Sequence, residues 1–183
     1  MALKFTKNVN GKPYFVTFSV VDNIDIFIRK QFRDIFYEST NYCIKNKGLN
    51  VFCYCIMTSH IHLIIGTDDK AISDIIRDWK AYTSRHIRKC LESAKFESRK
   101  YWLMKVFKYK GTINPNNKDF QFWQQNNHPI QLNSNFIVEQ KVEYIHNNPV
   151  NQGFVEKPEY WLHSSANFYS HNAPTFINLT KFD

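Results

Sequence analysis

The stretch that most restricts what this chain can fold into is a pair of apolar runs, Val51 to Met57 (VFCYCIM) and His60 to Ile65 (HIHLII), separated only by Thr58 and Ser59. A two-residue gap between β-branched and aromatic runs leaves little choice but a tight hairpin of buried strands. A hairpin this apolar belongs at the centre of a sheet, so the rest of the chain must supply its neighbours and its cover.

Those neighbours can be read on either side. Tyr14 to Val21 (YFVTFSVV) is β-branched and aromatic, and Pro13 suits the first position of a strand. Arg29 to Lys45 carries Phe32, Ile35, Phe36, Tyr42 and Cys43 as a helical stripe, with Gly48 placed to stop it. Ala71 to Lys95 is the clearest helix, with Ile72, Ile75, Ile76, Trp79, Ile87, Cys90 and Leu91 at three- and four-residue steps. Its other face holds Arg77, Lys80, Arg85, Arg88 and Lys89.

Residues 96–119 mix charge, aromatics and the cluster GTINPNNKD, and read as an irregular insertion ending in a turn. Phe120 to Leu132 resumes strand character. Asn133, Ser134 and Asn135 then offer caps for a helix over FIVEQKVEYIHN that Pro149 is expected to end. The aromatic-rich segment 150–183 is expected to pack back as loops and short turns. The order strand, helix, strand, strand, helix, strand, helix predicts an α+β ferredoxin-like sandwich, helices covering a mainly antiparallel sheet, within one domain spanning 1–183.

Composition agrees with a folded core and narrows the partners. The chain has 183 residues, 43% of them hydrophobic and 16% aromatic, which argues against disorder. Lysine and arginine outnumber aspartate and glutamate 24 to 16, for a net charge of +8 and a pI of about 9.3. That excess favours a polyanion but serves solubility equally well. Cys43, Cys53, Cys55 and Cys90 lack zinc-site spacing and read as reduced, packed thiols. The N-terminal MALKFTKNVNGKPYF has no signal-peptide run and no stretch approaches a membrane span, so the expected location is cytoplasmic.

Two clusters carry chemistry. His60 and His62 sit two apart on a strand, so both imidazoles face one way and one metal ion can reach both. An isolated pair of this kind is more often two ordinary strand histidines. In KVEYIHNNPVNQG, Tyr144 and Asn148 are four apart near a helix end and share a face, with Gln140 one turn earlier. A tyrosine can attack a phosphodiester and a carboxamide oxygen can join two imidazoles on an ion. Taken alone, a packed aromatic and a helix-terminal asparagine explain them as well. His128, His146 and His163 read as hydrogen-bonded structural residues rather than ligands.

The joint occurrence of CIMTSHIHLII, YIHNNPVNQGFV and YWLHSSANFY resembles the REP-associated tyrosine transposases, within the HUH single-tyrosine transposases of the insertion-sequence type. The resemblance runs from about Tyr14 to Tyr169. It implies that His60, His62 and Asn148 bind a divalent ion, magnesium or manganese, and that Tyr144 is the nucleophile. It implies cleavage and rejoining of single-stranded, hairpin-flanked DNA through a 5′-phosphotyrosine, with a free 3′ hydroxyl released. Lys80 and Thr83 stand in a KxxT spacing like the family's, and with Arg85 and Arg88 they are the expected DNA contacts. A homodimer is compatible with this reading. Two alternatives differ in class: a domesticated protein that binds DNA hairpins without cutting them, and a metal-dependent hydrolase for which Tyr144 is incidental.

Overall fold

A computed structural model describes residues 12–68, 70–117, 119–125 and 128–182. Four strands form one sheet: β1 (Tyr14–Ser19), β2 (Leu49–Ile56), β3 (His60–Thr67) and β4 (Ile130–Gln131). Their order across the sheet is β2-β3-β1-β4 and every pairing is antiparallel, which is the ferredoxin-like arrangement expected from the sequence. The helices are α1 (Lys30–Lys47), α2 (Ile72–Ser93), α3 (Lys100–Thr112), α4 (Asn135–Asn151) and a short α5 (Ala166–His171).

Strand alternation divides the interior in two. Val16 and Phe18 of β1 and Ile61, Leu63 and Ile65 of β3 pack with Phe32 and Phe36 of α1, Trp79 and Ile87 of α2, and Leu103 and Phe107 of α3. Phe15 and Ile64 face the other way and pack with Cys53, Cys55 and Val138, Val142 and Ile145 of α4. The sheet is therefore a middle layer, with α1, α2 and α3 on one side and α4 on the other. A bulge at Phe52, between the pairs Val51–Ile65 and Cys53–Ile64, moves Cys53 and Cys55 onto the α4 side.

Of the hairpin, β3 is interior but β2 lies at the end of the strand order. Its outer edge is covered by the C-terminal segment. Ile56 N donates to His163 O (2.8 Å), Ser165 N to Tyr54 O (2.9 Å) and Thr180 N to Val51 O (2.8 Å), so the exposed row of an edge strand is paired. All four cysteines are free. Among the described residues, no helix is long and apolar enough to cross a membrane.

Helix ends follow local chemistry. Gly48 ends α1 with φ 68°, a left-handed turn that glycine enters without strain. Ser134 caps α4 and its side chain accepts from Ile137 N. Pro149 does not terminate α4, which runs on to Asn151. The proline forfeits one bond to Ile145 O, and the helix instead closes where Phe154 N donates to Pro149 O and Gly153 N to Val150 O, each at 2.9 Å, with Gly153 at φ 74°. That double bond pattern across a left-handed glycine is the true stop.

Two further expectations are corrected. The segment 96–119, expected to be irregular, contains the thirteen-residue α3. Its buried positions, Leu103, Phe107 and Gly111, step by four, while exposed Tyr101, Trp102 and Tyr109 obscure that stripe in the sequence. Strand character over Phe120 to Leu132 contracts to Ile130–Gln131 plus one bridge from Trp123 to Val20. The intervening polar run has no apolar face to bury; residues 126 and 127 of it lie outside the described residues.

Gly111 is where α3 meets the returning chain. A Cβ there would lie 2.2 Å from Phe120 N and 2.6 Å from Asp119 C. Helix propensity alone favours alanine by about 1 kcal/mol, but the neighbour is backbone and cannot swing aside. Gly111→Ala should therefore lower stability by about 1–3 kcal/mol in urea denaturation; a gain would show that the chains do not approach this closely.

Burial also makes the fold acid-sensitive. His146 of α4 is buried against Ser165 Oγ (2.8 Å) and Cys53 Sγ (3.3 Å), and burial lowers its pKa to about 4. As pH falls below about 6.5 the unfolded chain takes up a proton that the folded chain refuses until about 4, so stability rises with pH across that window and is lost toward its acid end. The His146 share is about 3 kcal/mol. His62 and His163, lowered to about 3 and about 4, add to the same slope, so denaturation at pH 7, 5.5 and 4 should show it and His146→Gln should reduce it by that share; a slope unchanged by the substitution would remove His146 from the effect.

Candidate active site

His60 and His62 project from β3 toward α4, because their neighbours Ile61 and Leu63 are claimed by the opposite core. Their ring centroids lie 4.8 Å apart. His62 is 5% exposed and His60 is half-buried. Across the sheet, Thr17 of β1 stands opposite His62, and its Oγ1 lies 2.8 Å from His62 Nδ1.

α4 brings the other half of the site. Asn148, 7% exposed, places Nδ2 3.3 Å from His62 Nε2 and is close enough to His60 to oppose the lowering of its pKa. The two contacts of His62 are consistent with one tautomer: Nδ1–H donates to Thr17 and Nε2 presents its lone pair to Asn148. Burial lowers the His62 pKa to about 3, helped by His60 and then Lys141, and burial lowers that of His60. Both rings are therefore neutral at pH 7 with lone pairs to offer.

Tyr144 lies one turn before Asn148. Its ring meets His62 edge-on at 5.3 Å between centroids and Phe15 at 5.9 Å. It is 44% exposed and opens on a groove with Gln140, Glu143, Asn147 and Asn151. The Lys141 ammonium sits 5.3 Å from the Tyr144 centroid and 4.7 Å from that of Phe15. The structure thus brings together His60, His62, Tyr144 and Asn148, with His62 and Asn148 separated by 86 residues of sequence, and leaves the phenol open to solvent.

Among the described residues, no group of three His, Cys, Asp or Glu side chains could hold a metal ion, so a third ligand beside the imidazoles falls to the carboxamide. Gln152 Nε2 donates to Asn148 Oδ1 at 3.0 Å. The two ends of a carboxamide are nearly equal in shape. Turning both amides over preserves their mutual hydrogen bond and directs Asn148 Oδ1 toward His62 Nε2. The donor set fits a divalent ion.

Sequence reasoning missed four contributors: Phe15, Thr17, Lys141 and Gln152. The signals were local. Phe15 and Thr17 alternate onto the imidazole face of β1, Lys141 precedes Tyr144 by three, and Gln152 follows Asn148 by four. His146 and His163 are held by Ser165 and by the Tyr37 hydroxyl (3.0 Å), as structural residues, and His128 is exposed.

The expected DNA contacts on α2 are not part of this cluster. α2 packs on the face of the sheet opposite the imidazoles. Thr83 is a correction: it is fully buried, donates to Trp79 O (2.9 Å) and accepts from Trp123 Nε1 (2.9 Å), so it has no surface to offer DNA. Lys80 is largely buried, bonds Gln124 O (2.8 Å), and has a pKa lowered to about 8 by desolvation. Arg88 is committed to Glu92 and Asp119. Arg85 is exposed and forms no ion pair among the described residues.

Residues 14–111 match the family model described as IS200-like transposase. That segment is more than half the chain and contains both histidines; it ends before Tyr144. Among solved structures, the REP-associated tyrosine transposase bound to a REP hairpin superposes with a TM-score of 0.64 at 13% identity, over 100% of this chain and 94% of that one. A crystal structure of a candidate transposase from Deinococcus radiodurans gives 0.42 at 16% identity, over 79% of this chain and 95% of that one. No curated protein matches the chain. The first structural likeness speaks for the fold, and the family match for descent: the chain belongs to the IS200-like transposase family.

Proposed function

We propose that this transposase-family chain, taken as one HUH domain over 1–183, cleaves and rejoins single-stranded DNA through a covalent bond to Tyr144. The observation that carries the reading is the convergence of two neutral imidazoles and a carboxamide beside a half-exposed phenol. The hairpin in the superposed transposase structure supports a hairpin-flanked strand as the form of DNA.

His60, His62 and Asn148 would hold the ion, magnesium or manganese, which when bound would supply Lewis-acid polarisation of a nonbridging phosphate oxygen. The protein's own residues do the rest. Thr17 and Gln152 hold His62 and Asn148 in place, much as outer partners orient metal ligands elsewhere. Lys141 offers a positive charge between Phe15 and Tyr144, where the phosphate oxygens gain negative charge.

Tyr144 Oη forms a bond to phosphorus as the bond from phosphorus to the 3′ oxygen breaks. The phenolic proton passes to water and the departing oxygen takes one up. The phosphotyrosine ester conserves the phosphodiester linkage energy, so a second 3′ hydroxyl can reverse the step and join a new strand. No nucleotide cofactor is needed. Arg85 is the phosphate contact on α2 that its exposure supports; Lys80 and Arg88 would first have to leave their present partners.

Incubating the protein with labelled single-stranded DNA from around its own gene and manganese should give a covalent band on a denaturing gel. Tyr144→Phe should remove that band, a loss of at least about 1000-fold, while leaving DNA affinity within about twofold. Persistence of the adduct in the Phe variant would sink the assignment, and cleavage yielding only free ends would make the protein a hydrolase.

A further inference from the structure

At the turn between β2 and β3 lies a cavity of about 400 Å³ that the chemistry above does not use. Its walls are Phe27, Met57, Tyr160, Trp161 and His163, with Arg33 the only charged side chain among them. A volume of this size is typical for small-molecule ligands.

Arg33 makes the cavity more than an apolar dent. Its Nη1 donates to Phe27 O, while its Nε is buried without a hydrogen-bond partner. It forms no ion pair among the described residues, and neighbouring Asp34 pairs with Lys30. A half-buried guanidinium with an unanswered donor calls for an anion. The aromatic walls call for a flat ring. Tyr160 is 55% exposed at the rim, and Trp161 is backed by Phe154, stacked at 5.5 Å, with its Nε1 tied to Ile56 O at 2.9 Å. One ligand class satisfies both demands, a nucleotide, whose base stacks while its phosphate meets the arginine.

Two chain segments connect the cavity wall to the proposed site, although the two share no lining residue. Met57 and Thr58 line it, and Met57 N donates to His60 O at 2.8 Å, so the hairpin turn that forms its wall also presents the imidazoles. Thr58 and His60 are at most about 7 Å apart along the chain. On the other side, Gln152 bonds Asn148 and the chain then runs through Val155 into the cavity wall.

We propose that this cavity is a subsite for an unpaired nucleotide flanking the scissile phosphate, its base against Tyr160 and Trp161 and its phosphate on Arg33. The proposal rests on the strand-cleavage reading for its choice of DNA strand. It assigns to the C-terminal segment a part in selecting where the strand is cut. An apolar ligand would leave the Arg33 guanidinium, the one charged group in the cavity wall, without a counter-charge, which is why a nucleotide is the occupant argued.

The test uses the full chain carrying Tyr144→Phe, which cannot form an adduct, with single-stranded DNA holding 5-iododeoxyuridine at one position at a time. Irradiation followed by peptide mass spectrometry should find a cross-link at Tyr160 or Trp161 for one position only. Tyr160→Ala, at an exposed position that spares the fold, should remove that cross-link and weaken binding about tenfold. Arg33→Gln should weaken it by a similar factor. Cross-links confined to other surfaces, with Tyr160→Ala binding DNA as the parent does, would overturn the subsite. Adduct formation by the unsubstituted chain is scored separately: an adduct without pocket cross-links leaves the cleavage reading standing alone, and pocket cross-links without an adduct leave the subsite standing alone.

Discussion

The site depends on the two-residue period of β3. Ile61, Leu63 and Ile65 are committed to the core beneath α1 and α2, so the alternate positions His60 and His62 have nowhere to point but toward α4. A slip of one residue in the pairing with β1 would exchange the two sets, placing imidazoles in the aromatic core and isoleucine in the cleft. The energy that prevents the slip comes from apolar burial across the whole sheet, which is far larger than any contact the histidines make. The imidazoles are thus held by residues that take no part in chemistry.

Holding a histidine near a core has a cost, and the surrounding groups answer it. Burial drives His62 toward the neutral form, and neutral imidazole is the form with a lone pair to give. Thr17 and Asn148 satisfy its two nitrogens at 2.8 and 3.3 Å, so neutrality does not leave buried polar atoms unmatched. Asn148 is in turn held by Gln152, just beyond the helix proper, where the Gly153 closure sets the path of the chain. The helix stop and the site geometry are therefore one problem, solved by one stretch of sequence.

Much of this was legible in the residues and some was not, for identifiable reasons. The hairpin, the α1 stop at Gly48, the α2 stripe and the Ser134 cap each rest on a local pattern, and local patterns survive folding. The pairing of His60 and His62 with Tyr144 and Asn148 was legible only through joint motifs, since neither half outweighs a bland reading by itself. The Pro149 stop failed because a proline near a helix end removes one bond that the last turn can spare, while Gly153 supplied a stronger signal four residues later. α3 was hidden because its outward positions carry tyrosine and tryptophan, which in a sequence look like core. Thr83 was misjudged because its KxxT neighbour is polar, whereas its hydroxyl serves Trp79 and Trp123 inside the fold. The bulge at Phe52 and the cover over the β2 edge are tertiary facts with no local signature.

Net charge proved a poor locator for a related reason. The formal +8 draws the eye to α2, yet Arg77 is paired with Asp74 and Asp78, Lys47 with Asp78, and Arg88 with Glu92 and Asp119. Such pairs are worth little to stability at the surface, but they occupy the donors that a phosphate would otherwise use. Lys141 and Arg33 differ: neither forms an ion pair among the described residues, Lys141 lies over the Phe15 and Tyr144 rings, and Arg33 lines a cavity together with Phe27, Tyr160 and Trp161. A cation backed by low-dielectric rings and lacking a carboxylate keeps more of its field for an incoming anion than one already paired. Two such charges therefore weigh more for phosphate recognition than the larger number spread over α2.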